Sequence, residues 1–301
     1  FNSLTIAEGI WRAKTGTKYN INAASIYTLT GDVYYQLKNY TKAEEFYNQS
    51  RSLYEKFFSA NHPEYVKVLS KLSKVHYMQK DYKRSKRLIE ESLSNYENFI
   101  KQFFPALSER EKAKYWNTIK GDFEFYNTLA FSNLEDFRDL SGKVYNYQLL
   151  TKALLLSSSI KIRERILNST DADLKAQYNN WIQKKEMLTL ALSMTPAQLT
   201  ENNIEPVSLQ QEVERLEKTL SQKSELFGQS FETKRIGYDD VRKSLKPNEV
   251  AIELVRYRYF NHDFTDSVIY AALYVNPSTS KPKAILLKEG KNQIWIEYAY
   301  R

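Results

Sequence analysis

The side chains best suited to nucleophilic catalysis and metal binding are scarce in this sequence, which has three histidines and no cysteine. Without a thiol, the chain has no cysteine nucleophile, no disulfide and no thiolate metal ligand. His62, His76 and His262 lie far apart, and none belongs to a His-Glu-x-x-His motif or a similar ligand spacing. We therefore expect structural or surface roles for the histidines, and we predict no catalytic and no metal-binding residue in this chain.

Other patterns that could carry chemistry are equally weak. The chain lacks the GxxxxGK[ST] and GxGxxG loops that bind phosphates, so we expect no cofactor. The triplet Ser157-Ser158-Ser159 is not part of a GxSxG nucleophile turn, and it fits the end of one helix and the cap of the next. The acidic pairs Glu90-Glu91 and Asp239-Asp240 are adjacent residues that fit exposed helix surfaces better than a general acid and base pair.

The positive charge is concentrated near the N-terminus. The net charge is +8, and residues 1–105 contain 16 Lys and Arg against 10 Asp and Glu, whereas residues 106–301 contain 28 against 26. Lys83, Arg84 and Arg87 belong to the densest basic cluster. Such a cluster is either the solvated face of a helix or a surface for an acidic partner or for phosphates.

A membrane segment is not expected. The uncharged apolar run from Ala153 to Ile160 is far shorter than the roughly 20 residues that cross a bilayer. Residues 1–16 carry charges where the apolar part of a signal peptide would lie. These features predict a cytoplasmic protein with no membrane partner.

An internal repeat is the clearest organising feature. The segment 31–50 is echoed by the segment 73–92, at an offset of 42 residues. Under this offset Tyr35 aligns with Tyr77, and Ala43 aligns with Ser85. A partial earlier copy begins before residue 20, and helix breaks are predicted near residues 38–39, 59–63 and 80–81. Large and small residues that recur in register predict a helical solenoid.

This pattern resembles the long tetratricopeptide repeats found in kinesin light chains and in many bacterial proteins, over about residues 5–100. The resemblance implies that a protein or peptide partner binds in the groove of the repeats. The residues predicted to contact this partner are Tyr34, Tyr35, Tyr77, Lys83, Arg84 and Arg87.

Helical patterns continue downstream before the period changes. Ser108 and Glu111 have the spacing of a capping box, which predicts a long helix to about Leu134. Residues at steps of three and four, from Leu174 through Lys185 to Leu192 and from Leu209 to Phe227, predict the seam of an antiparallel helical hairpin formed by residues 171–192 and 207–227. A short helix at 239–245 and strands at 249–257, 267–275 and 283–287 follow.

The predicted fold is therefore mainly α, with strands appearing near the end of the sequence. We divide it into about two and a half tetratricopeptide repeats in residues 1–104, solenoid-extending and junction helices in 105–168, an antiparallel helical hairpin in 169–238, and the beginning of an α/β domain in 239–301.

The order of these elements is similar to that of bacterial TPR–CHAT proteins, in which repeats precede a caspase-like and separase-like peptidase domain. The similarity is carried by the LLxKxLLLxSS pattern that starts at Leu149 and by the pattern DVRxxLxPxExxIExVRY that starts at Asp240. It implies a caspase-like α/β domain, of which this chain holds the first strands. It also implies peptide-bond cleavage by a cysteine thiolate with a histidine base. Both residues are expected beyond residue 301, because the chain has no cysteine and His262 lies in a polar loop sequence.

Three functions remain open at this stage. The first is the protein-binding and regulatory N-terminal portion of a TPR–CHAT cysteine protease, which should be inactive alone. The second is a protein-interaction adaptor whose peptidase-like domain has lost its catalytic pair. The third is a basic repeat module that contacts an RNA-guided effector complex, although a nucleic-acid partner is less expected than a protein.

Overall fold

Helix pairs make up most of the chain, and a small antiparallel sheet follows them. The computed structural model describes residues 21–58, 60, 62–104, 107–132, 140–152, 166–192, 194–226 and 236–287. The expected order, with repeats first, a helical hairpin next and strands last, is confirmed within these ranges. The partial earlier repeat and the serine triplet 157–159 lie outside them.

Two helix pairs form the repeats. They are α1 (Ile21–Gln36) with α2 (Tyr40–Phe57), and α3 (Pro63–Met78) with α4 (Tyr82–Phe103). Pro63 occupies the first turn of α3, where the missing N–H is not needed. Asn39 and Asp81 accept hydrogen bonds from the backbone N–H groups of Lys42 and Arg84, so both second helices start at equivalent caps.

The first helix of each pair ends in the same way. Lys38 and Lys80, which are 42 residues apart, both have positive φ values, of 58° and 63°. The N–H of Asn39 donates to the carbonyl of Tyr34, and the N–H of Asp81 donates to that of His76, at 2.9 Å in both cases. A left-handed residue that closes the last helical turn satisfies carbonyls that would otherwise be unpaired. The predicted helix breaks are confirmed.

Small residues allow the helices of a pair to pack closely. Ala43 and Ser85, at equivalent positions, are fully buried. In the second pair the hydroxyl of Ser73 donates to the carbonyl of Ser85 at 2.6 Å. The pairing of small residues that the repeat implied is therefore present in the structure.

The next helix is α5 (Glu109–Ser132), and its start has the predicted capping box. The N–H of Ser108 donates to a Glu111 carboxylate oxygen at 3.0 Å, and the N–H of Glu111 donates to the Ser108 hydroxyl at 3.2 Å. The apolar stripe of α5 is buried, with Tyr115 partly buried at its start. Residues 140–152 are also helical, and the part of the LLxKxLLLxSS pattern that follows residue 152 lies outside the described residues.

The predicted helical hairpin consists of α6 (Ala172–Ala191) and α8 (Pro206–Leu226), and the connection between them contains the short helix α7 (Pro196–Glu201). We call these three helices the arm. Its seam differs from the prediction at one end. Leu192 is 70% exposed, whereas Ala191 is buried, because α6 ends at Ala191 and the chain leaves the seam there. Lys185 is exposed as well.

After the arm, α9 (Tyr238–Ser244) leads into the strands β1 (Ala251–Asn261), β2 (Asp263–Val275) and β3 (Lys283–Leu286). The strands pair antiparallel in the order β1-β2-β3, with Phe260 opposite Phe264 at the end of the β1–β2 hairpin. Val255, Ala271 and Leu273 are fully buried, and they belong to the same apolar core as the repeats. The sheet is thus packed on the helices rather than held at a distance.

None of the helices in the described ranges is long and apolar enough to cross a membrane.

Candidate protein-binding face of the helix pairs

The first helices of the two repeat pairs, together with α5, form one face. We define this first-helix face by Tyr35 of α1, Lys74 and Tyr77 of α3, and Glu124, Phe125 and Thr128 of α5. The β1–β2 hairpin lies against it, because its end contacts residues from all three helices. The site therefore joins the repeats to strands more than 200 residues further along the chain.

His262 contacts the part of the face that α1 provides. Its ring stacks on Tyr35, with 4.6 Å between ring centroids and an interplanar angle of 6°. The Tyr35 hydroxyl donates to the backbone carbonyl of His262 at 2.6 Å, and the Tyr40 hydroxyl lies 3.1 Å from the Nδ1 atom. One residue is thus held through its ring, its ring nitrogen and its backbone.

Phe260 fills the centre of the contact. Its ring lies 4.9 Å from that of Phe125 and 6.0 Å from that of Tyr77, both in edge-to-face arrangements, and the side chain is 3% exposed. The N–H of Phe260 donates to the Thr128 hydroxyl at 3.1 Å. This bond satisfies a buried backbone donor at a point where the β1–β2 register shifts.

Arg258 and Phe264 extend the contact along α5. The Arg258 guanidinium donates two hydrogen bonds, at 2.9 and 2.7 Å, to one carboxylate oxygen of Glu124. The same guanidinium lies over the ring of Phe264 at 4.6 Å. The ion pair with Glu124 raises the pKa of Arg258, so this residue stays charged.

An open cleft of about 340 Å³ remains beside the hairpin end. Asp32, Lys71 and Lys74 provide its charged wall on the repeats, and His262 and Asp263 border it on the hairpin. Lys71 donates to Asp32 at 2.5 Å, and the Tyr47 hydroxyl donates to the same carboxylate at 2.6 Å. Lys71 is paired with Asp32, and Lys74 is paired with Asp122, so neither lysine is an isolated cation for an anionic ligand.

Asp122 organises the polar layer beneath Lys74. Its carboxylate accepts hydrogen bonds from Ser70 at 2.6 Å, from Lys74 at 2.8 Å and from Tyr96 at 2.9 Å. Burial alone would raise the pKa of Asp122, but the Lys74 charge and the three hydrogen bonds together lower it. This network links α3, α4 and α5, and it fixes the position of Lys74.

The tyrosines of the face are neutral. Burial raises the pKa of Tyr35, and neighbouring Tyr40 and Asp263 raise it further. The pKa of Tyr77 is raised mainly by burial as well. Both phenols therefore keep their protons at physiological pH, and Tyr35 uses its proton in the hydrogen bond to the His262 carbonyl.

The six residues predicted to bind a partner do not form one surface. Tyr35 is 8% exposed beneath His262, and Tyr77 packs against Phe125 and Phe260. Tyr34 stacks on Phe46 with Lys42 above its ring. The basic residues are exposed at the start of α4, the second helix of its pair, where Arg84 forms an ion pair with Asp81. Tyr35 and Tyr77 are already in contact with the chain's own hairpin, and binding of a separate partner by any of the six stays a prediction.

Sequence reasoning missed the residues of the hairpin that contact the face. His262 was placed in a polar loop, and it does lie at the turn between β1 and β2, but its loop is bound to Tyr35. The signal available was the occurrence of a basic residue and two ring residues, Arg258, Phe260 and His262, at every second position. The shift in register after Arg258 and the turn at His262 determine where these side chains point, and neither can be read from that spacing.

The described residues contain no group of three or more His, Asp or Glu side chains that could hold a metal ion.

Residues 22–98 match the family model of the tetratricopeptide repeat. No curated protein matches the chain. The match covers the two helix pairs described above, so the chain carries a tetratricopeptide-repeat segment, which is a module for protein interaction.

Proposed function

We propose that this chain is the protein-binding and regulatory N-terminal portion of a TPR–CHAT cysteine protease. The catalytic histidine and cysteine would lie in the native polypeptide beyond residue 301. The domain division follows the sequence: repeats in 1–104, junction helices in 105–168, the arm in 169–238 and the start of the peptidase-like domain in 239–301. The repeats would bind a protein, and the strands would belong to the domain that this binding regulates.

One observation carries the proposal. The β1–β2 hairpin, which would belong to the peptidase-like domain, packs on the first-helix face of the repeats through His262 and Phe260. Regulation of one domain by another requires that a ligand of the first changes contacts made by the second. A protein that binds the repeats at this face would act directly on the hairpin.

Residues of the two family-like patterns have structural roles that fit this coupling. Lys152, from the first pattern, forms an ion pair with Glu253, from the second. Tyr257 stacks on Phe131 of α5, with 5.6 Å between the rings. These contacts tie β1 to the helices between the repeats and the arm. They support a role of the patterns in joining domains, which is separate from the cleavage chemistry.

The decisive experiment uses the native full-length polypeptide. Its sequence should contain a histidine and a cysteine that follow β-strands downstream of residue 301. The substrates would be identified from the new N-termini that cleavage creates among the proteins of a cell lysate. A cysteine-to-alanine variant of the native protein would serve as the inactive control. Removal of residues 1–104 should abolish regulation of cleavage by the repeat partner. Unchanged regulation would disprove the coupling, and a native sequence with no such cysteine would favour the adaptor.

A second candidate rests on the exposed basic residues Lys83, Arg84 and Arg87 at the start of α4. They could contact the RNA of a guide complex, because phosphate contacts by Lys and Arg dominate such binding. Binding of this kind weakens steeply as salt rises, so titration with RNA at two salt concentrations tests it. The variant Lys83→Glu/Arg87→Glu should lose it.

A further inference from the structure

Three side chains at the end of the β1–β2 hairpin contact the first-helix face. Arg258 and Phe260 belong to β1, on either side of a shift in register, and His262 lies at the turn with a φ of 67°. Arg258 contacts Glu124 of α5, Phe260 contacts the Tyr77 and Phe125 rings, and His262 contacts Tyr35 of α1. The face therefore has three adjacent positions, one for a cation and two for rings.

Two backbone groups of the hairpin are also bound by side chains of the face. The N–H of Phe260 donates to Thr128, and the carbonyl of His262 accepts from Tyr35. Side chains that bind backbone groups hold any extended peptide, and the neighbouring pockets then select its side chains. The contact has the composition of a peptide-recognition site rather than that of a uniformly apolar core.

The face is specific about which groups it accepts. Glu124 supplies a carboxylate to the Arg258 position, so a cation is favoured there and an acidic side chain is disfavoured. The Phe260 position is enclosed by two aromatic rings and is almost fully buried. At the His262 position, the ring stacks flat on Tyr35, and the hydroxyl of Tyr40 lies within hydrogen-bond distance of the ring nitrogen.

We infer that the first-helix face is a recognition site for a segment with the pattern basic-x-aromatic-x-aromatic that turns at its last position, as the chain does at His262, and that the end of the β1–β2 hairpin is its built-in competitor. The inference rests on the protein-binding part of the proposed function and names its partner class. A partner protein with this pattern would displace Arg258, Phe260 and His262 from the face. Since a tethered segment competes at a high effective concentration, the partner's observed affinity is weaker than its affinity for the free face.

The test uses the 301-residue chain and a labelled linear peptide with the sequence of residues 257–264, YRYFNHDF. The variant Phe260→Thr/His262→Gly removes the competing rings, and it places a β-branched residue in the strand and a glycine at the left-handed turn position, which both suit the hairpin. We expect fluorescence anisotropy to show at least tenfold tighter peptide binding to this variant than to the unchanged chain. Arg256→Ala, an exposed position on β1, is the matched control and should bind like the unchanged chain.

Three further measurements make the outcome decisive. Adding Tyr35→Phe and Thr128→Val to the double variant should reduce peptide binding at least tenfold, and a peptide with alanine at the position of Phe260 should bind no variant. In the unchanged chain, saturating peptide should accelerate hydrogen exchange at the Phe260 amide, which needs no variant to fold. If the unchanged chain and the double variant bind the peptide with equal affinity, and hydrogen exchange at the Phe260 amide does not change, the competition is disproved. Absence of binding to the folded double variant would overturn the recognition site. Neither result depends on protease activity, so the coupling to cleavage can fail separately.

Discussion

Gly31 is required because Tyr47 of the adjacent helix occupies the space where a side chain would begin. A Cβ atom at position 31 would lie 2.5 Å from two carbons of the Tyr47 ring. In the second repeat the equivalent residues are Ser73 and Ile89, so a larger residue on one helix is matched by a smaller one on the other. The two repeats therefore fill the same space between their helices with different combinations of side-chain size.

We predict that Gly31→Ala lowers the free energy of unfolding by about 1–3 kcal/mol, because overpacking forces the Tyr47 ring to move. In the background Tyr47→Ile, which copies the second repeat, the same change should cost less than about 1 kcal/mol. Urea denaturation of the four proteins of this cycle gives both values. Equal costs in the two backgrounds would show that the close approach does not determine the residue at position 31.

The buried carboxylate of Asp122 should stabilise the fold through its charge. Asp122→Asn leaves Lys74 facing a neutral group in a largely buried site, and we expect a loss of about 2 kcal/mol at pH 7. The folded-state pKa of Asp122 is lowered from its usual 3.8. The carboxylate therefore stabilises the fold fully above that pH, and its contribution is lost as the pH falls through the lower folded-state pKa.

The difference in unfolding free energy between the two proteins should accordingly be constant from pH 7 to about pH 5 and should narrow below 3.8. Urea titrations at successive pH values measure it. Asp266→Asn, at an exposed position of β2, is the control and should have little effect at any pH. A difference that grew on acidification would mean that the Asp122 carboxylate destabilises the fold.

At the scale of helices, the left-handed residues Lys38 and Lys80 close the first helix of each pair without the glycine that usually occupies such a position. A side chain in this conformation costs about 1 kcal/mol. Lys38→Gly and Lys80→Gly should therefore each stabilise the protein by about 0.5–1 kcal/mol, measured as a higher urea midpoint. Lys67→Gly, inside α3 and also exposed, should do the opposite, by about 1 kcal/mol.

Helix ends and strands could be predicted from the sequence because their causes are local. The capping box at Ser108, the N-cap at Asp171 and the proline at position 63 act within four residues, and all three are present in the structure. The strand segments followed from their β-branched residues, although β1 and β2 are each longer than predicted. Leu192 was misplaced because the periodicity of a seam continues in the sequence after the helix has ended.

The site could be predicted only in part, since it depends on contacts between residues far apart in sequence. Tyr35 and Tyr77 were found through the repeat, but nothing near them indicates that Phe260 and His262 pack on them. The sequence placed His262 in a polar loop, and it lies at the β1–β2 turn, but its partner Tyr35 is 227 residues away. No periodicity connects two such segments.

At the scale of the whole molecule, the described residues form two separate apolar clusters. One extends from α1 to the sheet, and the other joins Leu174, Tyr178 and Leu220 of the arm with Ile166, which precedes it. Where the arm meets α5, ion pairs join Arg110 with Glu214 and Lys218 with Glu111, and their partly exposed side chains contribute little. The arm should therefore unfold locally while the repeats stay folded.

We predict that Leu220→Ala, at a position that is 2% exposed, destabilises the arm by about 2–4 kcal/mol and leaves the repeats unchanged. Hydrogen exchange followed by mass spectrometry should show faster exchange in α6 and α8 and the same exchange in α3. Leu192→Ala, at an exposed position, is the control and should change neither region. Faster exchange in α3 would show that both clusters unfold as one unit.

The turn residue of the β1–β2 hairpin has an evolutionary consequence. His262 has a φ of 67°, a conformation in which glycine or asparagine would be the ordinary choice, and its ring and carbonyl are both engaged by Tyr35. The contact with Tyr35 thus accounts for a histidine at a turn position that otherwise favours glycine or asparagine. Substitutions at the two positions should be linked: lineages that lose Tyr35 should drift to glycine or asparagine at 262. Ancestral reconstruction should show the two changes occurring together.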